Sequence, residues 1–261
     1  MSAKNSSALS IELLATIREL QAFESLSVFA LAGGTNLSIR FNHRHSYDID
    51  LFTNQIIGYE GFVRIEKELK KFYNTSLIGC EIINTDNGDQ FCFLRAFVGK
   101  ESGAVIKIEI LQNMAITCPI EMYSGIRILS VRDIGLFKLM SASNRKAKKD
   151  IYDLDFITED IAVSDLLAEL QTKHEKFCED EHKCLFDLDN EVSPNENLAL
   201  LLEFDNIDYT KNDSRPNHSA DILDIAPGNK SWSTAKSSWR RKVRRLMQER
   251  GTPLPPIKPI N

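Results

Sequence analysis

The segment Leu31 to Phe52, LAGGTNLSIRFNHRHSYDIDLF, carries the residues whose types and spacing can do chemistry. Asp48 and Asp50 fall in a stretch that reads as a β-strand, where a spacing of two puts both carboxylates on one face, about 6.6 Å apart along the chain. At an effective dielectric of ~20, two unit charges ~6 Å apart repel by roughly 3 kcal/mol. A partly buried pair of this kind calls for a cation, and Mg²⁺ (or Mn²⁺) is the one expected, because hard oxygen ligands suit it and it shares them with substrate phosphates. Upstream, a short apolar run from Val28 to Ala32 delivers Gly33 and Gly34 to a tight turn, with Thr35 following and a short helix beginning. Free N–H groups and the positive end of the helix dipole make an anion site there. A residue without Cβ lets the backbone take positive φ and approach a phosphate closely.

A third carboxylate is expected from Val105 to Leu111, VIKIEIL, where strand alternation turns Lys107 and Glu109 away from Ile106, Ile108 and Ile110. If this strand lies beside that of Asp48, Glu109 completes a metal-binding cluster with Asp48 and Asp50. Three acids, two metals and a triphosphate are the parts of an in-line displacement at phosphorus, with pyrophosphate leaving. The second informative segment is Ser130 to Asp153, SVRDIGLFKLMSASNRKAKKDIYD. Ser130 and Asp133 resemble a capping box, which starts a helix at Val131. On a continuous helix Lys138, Arg145 and Lys149, at steps of seven and four, line up as a cationic stripe suited to a triphosphate. A break between Asn144 and Lys148 would leave only the charge argument.

The elements that must position these groups are legible from periodicity. Ser10 precedes Ile11, Leu13, Leu14, Ile17 and Leu20, an amphipathic helix with an N-cap. Asp48 to Phe52 is a strand, Glu60 to Phe72 a helix, and Glu81 to Asn84, Phe91 to Val98 and Val105 to Leu111 are strands separated by Asn87-Gly88 and by Gly99 to Gly103. Ile126 to Leu129 reads as one more strand, after which helical periods dominate. The composition boundary near 125–130 divides the chain into residues 1–128 and 129–261. Tyr209 to Lys230 is polar, with two prolines, and reads as a long loop; Ser231 to Arg250 reads as a basic helix.

With 261 residues, 43% hydrophobic and 26% charged, the chain has the composition of a folded globular protein, not a disordered or fibrous one. No apolar run approaches the ~18 residues of a membrane span, and the charged N-terminal stretch does not resemble a signal peptide, so a cytoplasmic location is expected. Five cysteines without a Cys-x-x-Cys pair read as thiols in a reducing compartment. The net charge of −5 hides an asymmetry: from Lys230 onward there are nine Lys or Arg against Glu249, so the first 229 residues carry −13. A basic tail on an acidic body points to an anionic partner, or to a helix docked through Trp232 and Trp239 on that body.

Gly33-Gly34-Thr35, then His43-Arg44-x-Ser46-x-Asp48-x-Asp50-Leu51-Phe52, then Lys138 and Arg145 through Lys149-Asp150-x-x-Asp153 resemble the AbiEii-type nucleotidyltransferases, toxins of type IV toxin/antitoxin systems, within the DNA polymerase β-like nucleotidyltransferase superfamily. The resemblance runs from about residue 24 to 160 and more weakly beyond. It implies an α/β (α+β) nucleotidyltransferase core with a mixed sheet flanked by helices, a mainly helical C-terminal domain, Mg²⁺, a nucleoside triphosphate donor and, as in several relatives, an RNA acceptor such as a tRNA 3′ end. A cognate antitoxin is a further implied partner. Carried over residue by residue, Gly33, Gly34 and Thr35 hold phosphates, Asp48 and Asp50 hold metal, Lys138, Arg145 and Lys149 contact the nucleotide, and Asp150, with Lys138, does catalytic or positioning work. The hydroxyl at Thr35 after two glycines departs from the superfamily's usual Gly-Ser.

Each feature has a plainer reading beside it. Gly-Gly-Thr can be only a turn, Asp-x-Asp only a solvated face, and Glu109 only a surface carboxylate paired with Lys107. Arg44 and Ser46 can organise the loop before Asp48, and His43 and His45 suit hydrogen bonds better than a hard cation. His174, Cys178, His182 and Cys184 lack zinc spacing and read as a solvated helix. The alternatives to an RNA-directed transferase are a catalytically silent RNA- or protein-binding relative and a transferase acting on protein or a small molecule.

Overall fold

The computed structural model describes residues 8–85, 87–204 and 222–255. The expected loop from Tyr209 lies outside the described residues as far as residue 221. The described residues form two compact units. The first comprises Met1–Ile134, Lys173–Asn190 and Asp224–Pro227, and the second Gly135–Thr172, Glu191–Leu223 and Gly228–Asn261, each over its described part.

The first unit is built on a seven-stranded mixed sheet. Its strands are β1 (Ala30–Leu31), β2 (Asp48–Phe52), β3 (Leu77–Ile83), β4 (Phe93–Gly99), β5 (Val105–Leu111), β6 (Glu121–Tyr123) and β7 (Ile126–Ile128), in the order β3-β4-β5-β2-β1-β7-β6. β2 runs parallel to β5 and β1 parallel to β7; the other neighbours are antiparallel. The helices of this unit include α1 (Ile11–Gln21), α2 (Gly33–Phe41) and α3 (Gly58–Tyr73). Ser10 caps α1 by accepting from the Leu13 amide at 3.0 Å. Leu13, Ile17 and Leu20 of α1 and Phe62, Ile65 and Leu69 of α3 join Ile49, Leu51, Ile106, Ile108 and Ile110 in one buried cluster.

That cluster fixes the register of the acidic strand. Ile49, Leu51, Ile108 and Ile110 are fully buried, and each such side chain contributes about 1.5–3 kcal/mol. Together they outweigh the roughly 3 kcal/mol of carboxylate repulsion expected on the other face. A slip of one residue would put Asp48 and Asp50 into the core, so packing on one side forces the acids together on the other.

The helices α4 (Val131–Asn144), α5 (Lys148–Asp160), α6 (Val163–Lys176) and α7 (Trp232–Glu249) dominate after the sheet. Ser130 Oγ accepts from the Asp133 amide and donates to Asp133 Oδ2, both at 2.9 Å, which starts α4 where the capping pair predicts. The helix does not continue to Lys149: it stops at Asn144, Lys146 takes φ +58°, and α5 begins at Lys148. Within the second unit the inner face of α7 is docked. Trp239 is fully buried and donates Nε1–H to the Leu201 carbonyl at 2.9 Å, while Trp232 meets the Phe204 ring edge-on. Lys242 reaches Asp155 Oδ1 at 2.8 Å. α6 ends before Cys178, so His174, Cys178 and His182 do not share a helix. All five cysteines are free thiols. Among the described residues no helix is long and apolar enough to cross a membrane.

Candidate active site

In the first unit the twin-glycine turn and the acidic strand converge. The Ala32 amide donates to the Asp50 carbonyl at 2.8 Å, which ties the chain entering α2 to β2. Gly33 has φ +62°, and a Cβ built on it would stand 1.9 Å from Asp50 Oδ2. The turn and the carboxylate are thus in contact through the space a side chain would fill. Ala32 precedes α2 with no side-chain cap, so the helix offers its first N–H groups at the same place.

Around this contact the loop residues act as scaffolding. Thr35 is 1% exposed; its hydroxyl donates to the Asp48 carbonyl and lies 2.8 Å from Ser46 Oγ. The Thr35 side chain is therefore engaged within the protein, holding α2 to the start of β2. Arg44 lays its guanidinium over Gly34, with Nη2 2.1 Å from where a Cβ would be, and donates from Nη1 to the His45 carbonyl at 3.1 Å. His43 is fully buried. Its carbonyl accepts from the Ala226 amide at 3.1 Å, and the His45 amide donates to the Asp224 carbonyl at 2.7 Å, so residues 224–226 line the loop as a short antiparallel partner. Tyr47 donates its hydroxyl to Asp224, and that bond, with burial and the Asp224 charge, pushes the phenol up to about 12.

The parallel register puts Asp48 opposite Lys107 and Asp50 opposite Glu109. Strand order thereby places Glu109 beside the pair, on their face. Its carboxylate, 4% exposed as a residue, accepts from Arg95 Nε at 3.0 Å and from Lys107 Nζ at 3.0 Å. Lys107 Nζ also lies 3.8 Å from Asp48 Oδ2. Among the described residues no group of three or more His, Cys, Asp or Glu side chains is gathered closely enough to hold a metal ion. The donor set suits a cation shared with phosphates: oxygen-only carboxylates, one of them against a glycine that leaves room, as Mg²⁺ takes one or two carboxylates and completes its shell with substrate and water. Arg95 is the member of this face that sequence reasoning did not find, because its place opposite Glu109 depends on the β4–β5 hairpin register.

The second unit holds the other expected residues. Lys138 Nζ bridges Asp150 Oδ1 and Asp153 Oδ2, both at 2.7 Å, and Arg145 grips Asp150 through Nε at 2.6 Å and Nη2 at 2.7 Å. Asp150 and Asp153 are fully buried. Burial alone would raise the Asp150 carboxyl, but the Arg145 and Lys138 charges and their hydrogen bonds outweigh it and hold it well below the usual carboxylate range. The three cations do not form a stripe on one continuous helix. The turn at 145–147 instead folds Arg145 back onto the first turn of α5, and two carboxylates one helical turn apart organise the cations. Lys149 sits beside Asp150 in that turn, half-buried.

This sheet with its glycine turn and strand-borne acids, followed by a helical part, defines a nucleotidyltransferase-like α/β protein. The chain belongs to the AbiEii family, the nucleotidyl transferase toxins of type IV toxin/antitoxin systems, which it matches over residues 16–249. MenT4, a nucleotidyltransferase toxin from Mycobacterium tuberculosis H37Rv, shares the fold at 12% identity, covering 90% of this chain and 82% of that one with a TM-score of 0.53. An antigenic nucleotidyltransferase-like protein from Paracoccidioides brasiliensis is 17% identical, over 64% of this chain and 90% of that one, with a TM-score of 0.41. An uncharacterised protein of Aquifex aeolicus (strain VF5) is 31% identical over 129 residues, 49% of this chain; the match spans 57% of that relative's length.

Proposed function

We propose that the chain transfers a nucleotide from a nucleoside triphosphate to a hydroxyl, on RNA such as a tRNA 3′ end, as the toxin of a toxin/antitoxin pair in the cytoplasm. The observation that carries this reading is the contact between Gly33 and Asp50. It sets an uncapped helix N-terminus, suited to phosphate oxygens, against carboxylates suited to a divalent ion.

In this reading Asp48 and Asp50 hold Mg²⁺ (or Mn²⁺), with Glu109 beside them as the third carboxylate of the face. The ion supplies neutralisation of the polyphosphate and a lower pKa for the attacking hydroxyl. The residues of the chain do the rest. The amides at Gly33 and Gly34 orient the phosphates, and Thr35 positions Asp48 through its carbonyl. Arg44 and Ser46 fix the loop that aims the strand. Lys138, Arg145 and Lys149 have the role of contacting the nucleotide, with Asp150 holding the first two in place. The acceptor oxygen forms its bond to the α-phosphorus, the bond to the bridging oxygen breaks, pyrophosphate leaves, and the acceptor's proton passes to a carboxylate or to water. The division into a core over 1–128 and a helical domain over 129–261 belongs to the same proposal.

The test is labelling of total tRNA with each of the four α-labelled triphosphates. Wild type should incorporate label and release pyrophosphate, and Asp48→Asn combined with Asp50→Asn should abolish incorporation without unfolding the chain. Undiminished labelling by that variant would refute the assignment. Triphosphate binding without turnover on any substrate would point to a silent relative, and label appearing in protein or in a small molecule would replace RNA as acceptor.

A further inference from the structure

The acidic face does not wait for a metal with its charges uncompensated. Asp48, Asp50 and Glu109 are three negative charges, and Lys107 and Arg95 bring two positive ones onto the same face, within 3.0 Å of Glu109 in both cases. The two cations differ in reach. Arg95 reaches Glu109 from the neighbouring strand, in the hairpin register that places it opposite that residue. Lys107 lies directly opposite Asp48 in the parallel ladder, and its ammonium sits 3.0 Å from Glu109 Oε2 and 3.8 Å from Asp48 Oδ2. Its side chain is only 14% exposed, whereas that of Asp48 is 31% exposed. The ammonium is thus a point charge on a flexible stem between two carboxylates.

We infer that Lys107 is the built-in counter-cation of the acidic face, a positioning residue whose ammonium a divalent ion must displace to reach Asp48 and Glu109. The inference rests on the reading of Asp48 and Asp50 as metal ligands. An ammonium and a divalent ion cannot both stand between the same carboxylates, because like charges in contact repel while each seeks the same oxygens. Lys107 therefore keeps the strand pair together before the ion arrives, and competes with the ion afterwards. It makes metal affinity lower than the carboxylates would give without it.

The experiment measures Mn²⁺ binding by electron paramagnetic resonance in the full chain, without nucleotide, for wild type, Lys107→Met and Lys107→Arg. Lys107→Met should bind Mn²⁺ about tenfold more tightly than wild type, and Lys107→Arg should stay near the wild-type value because the charge is kept. Affinity unchanged or weakened in Lys107→Met overturns the inference while leaving the metal site standing. Absence of Mn²⁺ binding in all three proteins overturns the metal reading together with it, and so is a distinguishable result. A metal-free measurement covers the fold: Lys107→Met should melt below wild type, and adding Asp48→Asn should return part of the loss. A Lys107→Met protein that melts at the wild-type temperature without metal also counts against a compensating role.

Discussion

Gly33→Ala brings two separate penalties to one atom, one from the backbone and one from the Asp50 carboxylate. At Gly33 φ is +62°, a region where a residue with a Cβ is destabilised by about 1–2 kcal/mol. The added carbon would also stand 1.9 Å from Asp50 Oδ2 and 2.8 Å from its Cγ. Gly103 separates the two effects: it has φ +84° with nothing within 4 Å of its would-be Cβ. Gly103→Ala should show the backbone penalty alone, a fall of about 2–8 °C in melting temperature at roughly 2–4 °C per kcal/mol. Gly33→Ala should show that and more. To recover ordinary contact near 3.4 Å, the Asp50 carboxylate must retreat by more than 1 Å, a misplacement that can reduce a positioned reaction about 10²-fold. Labelled-nucleotide incorporation and Mn²⁺ binding, measured on both variants beside their melting curves, decide the matter. Were Gly33→Ala to incorporate label as fast as Gly103→Ala, the contact between turn and carboxylate would have no part in catalysis.

Three further outcomes follow from the geometry. Lys138→Met leaves Asp150 and Asp153 buried with one cation fewer, and a urea titration should show a loss of about 3–5 kcal/mol; a loss under about 1 kcal/mol would mean the cluster is not the anchor of α4 and α5. Thr35→Val removes the donor to the Asp48 carbonyl and should lower stability by about 1–3 kcal/mol, whereas Thr35→Ser should keep most of it; equal melting curves for the two would contradict the assigned bond. Lys173 is 7% exposed, and burial, opposed in part by Asp133, Cys184 and Asp187, pulls its ammonium down to about 8. Between that value and the unfolded value near 10.4 the unfolded chain binds more protons, so this group makes stability rise with pH across the window. Lys173→Met should remove that rise; denaturation midpoints at pH 7, 8, 9 and 10 that keep the same difference between the two proteins would show the lysine titrates normally.

Local chemistry was readable where it was decided locally. The Ser10 and Ser130 starts of α1 and α4 follow from side chains one turn away, and β2 and β5 follow from alternation enforced by Ile49, Leu51, Ile108 and Ile110. The pairing of β2 with β5 needed only the assumption of adjacency, and the ladder supplies it. What depended on distant partners was not readable. Arg95 meets Glu109 through a hairpin register, β6 exists because Glu121–Tyr123 folds back on β7, and residues 224–226 find the His43–Tyr47 loop from far along the chain. A cationic stripe needs an unbroken helix; with the break between Asn144 and Lys148, Lys138 and Arg145 answer instead to Asp150 and Asp153, which stand three residues apart on α5. Both carboxylates lie on one face of α5, and buried cations seek such pairs.

The short crossing at Asp224–Pro227 has a consequence for synthesis. These residues belong to the first unit although the chain has by then supplied most of the second, and Tyr47 meets Asp224 across 177 positions of sequence. At about 5–20 residues per second a ribosome needs roughly 9 to 35 s between delivering the one and the other. Throughout that interval the stretch leading into the aspartate pair lacks its outer neighbour, so a nascent chain is born with this corner unfinished and closes it only once Asp224 has emerged.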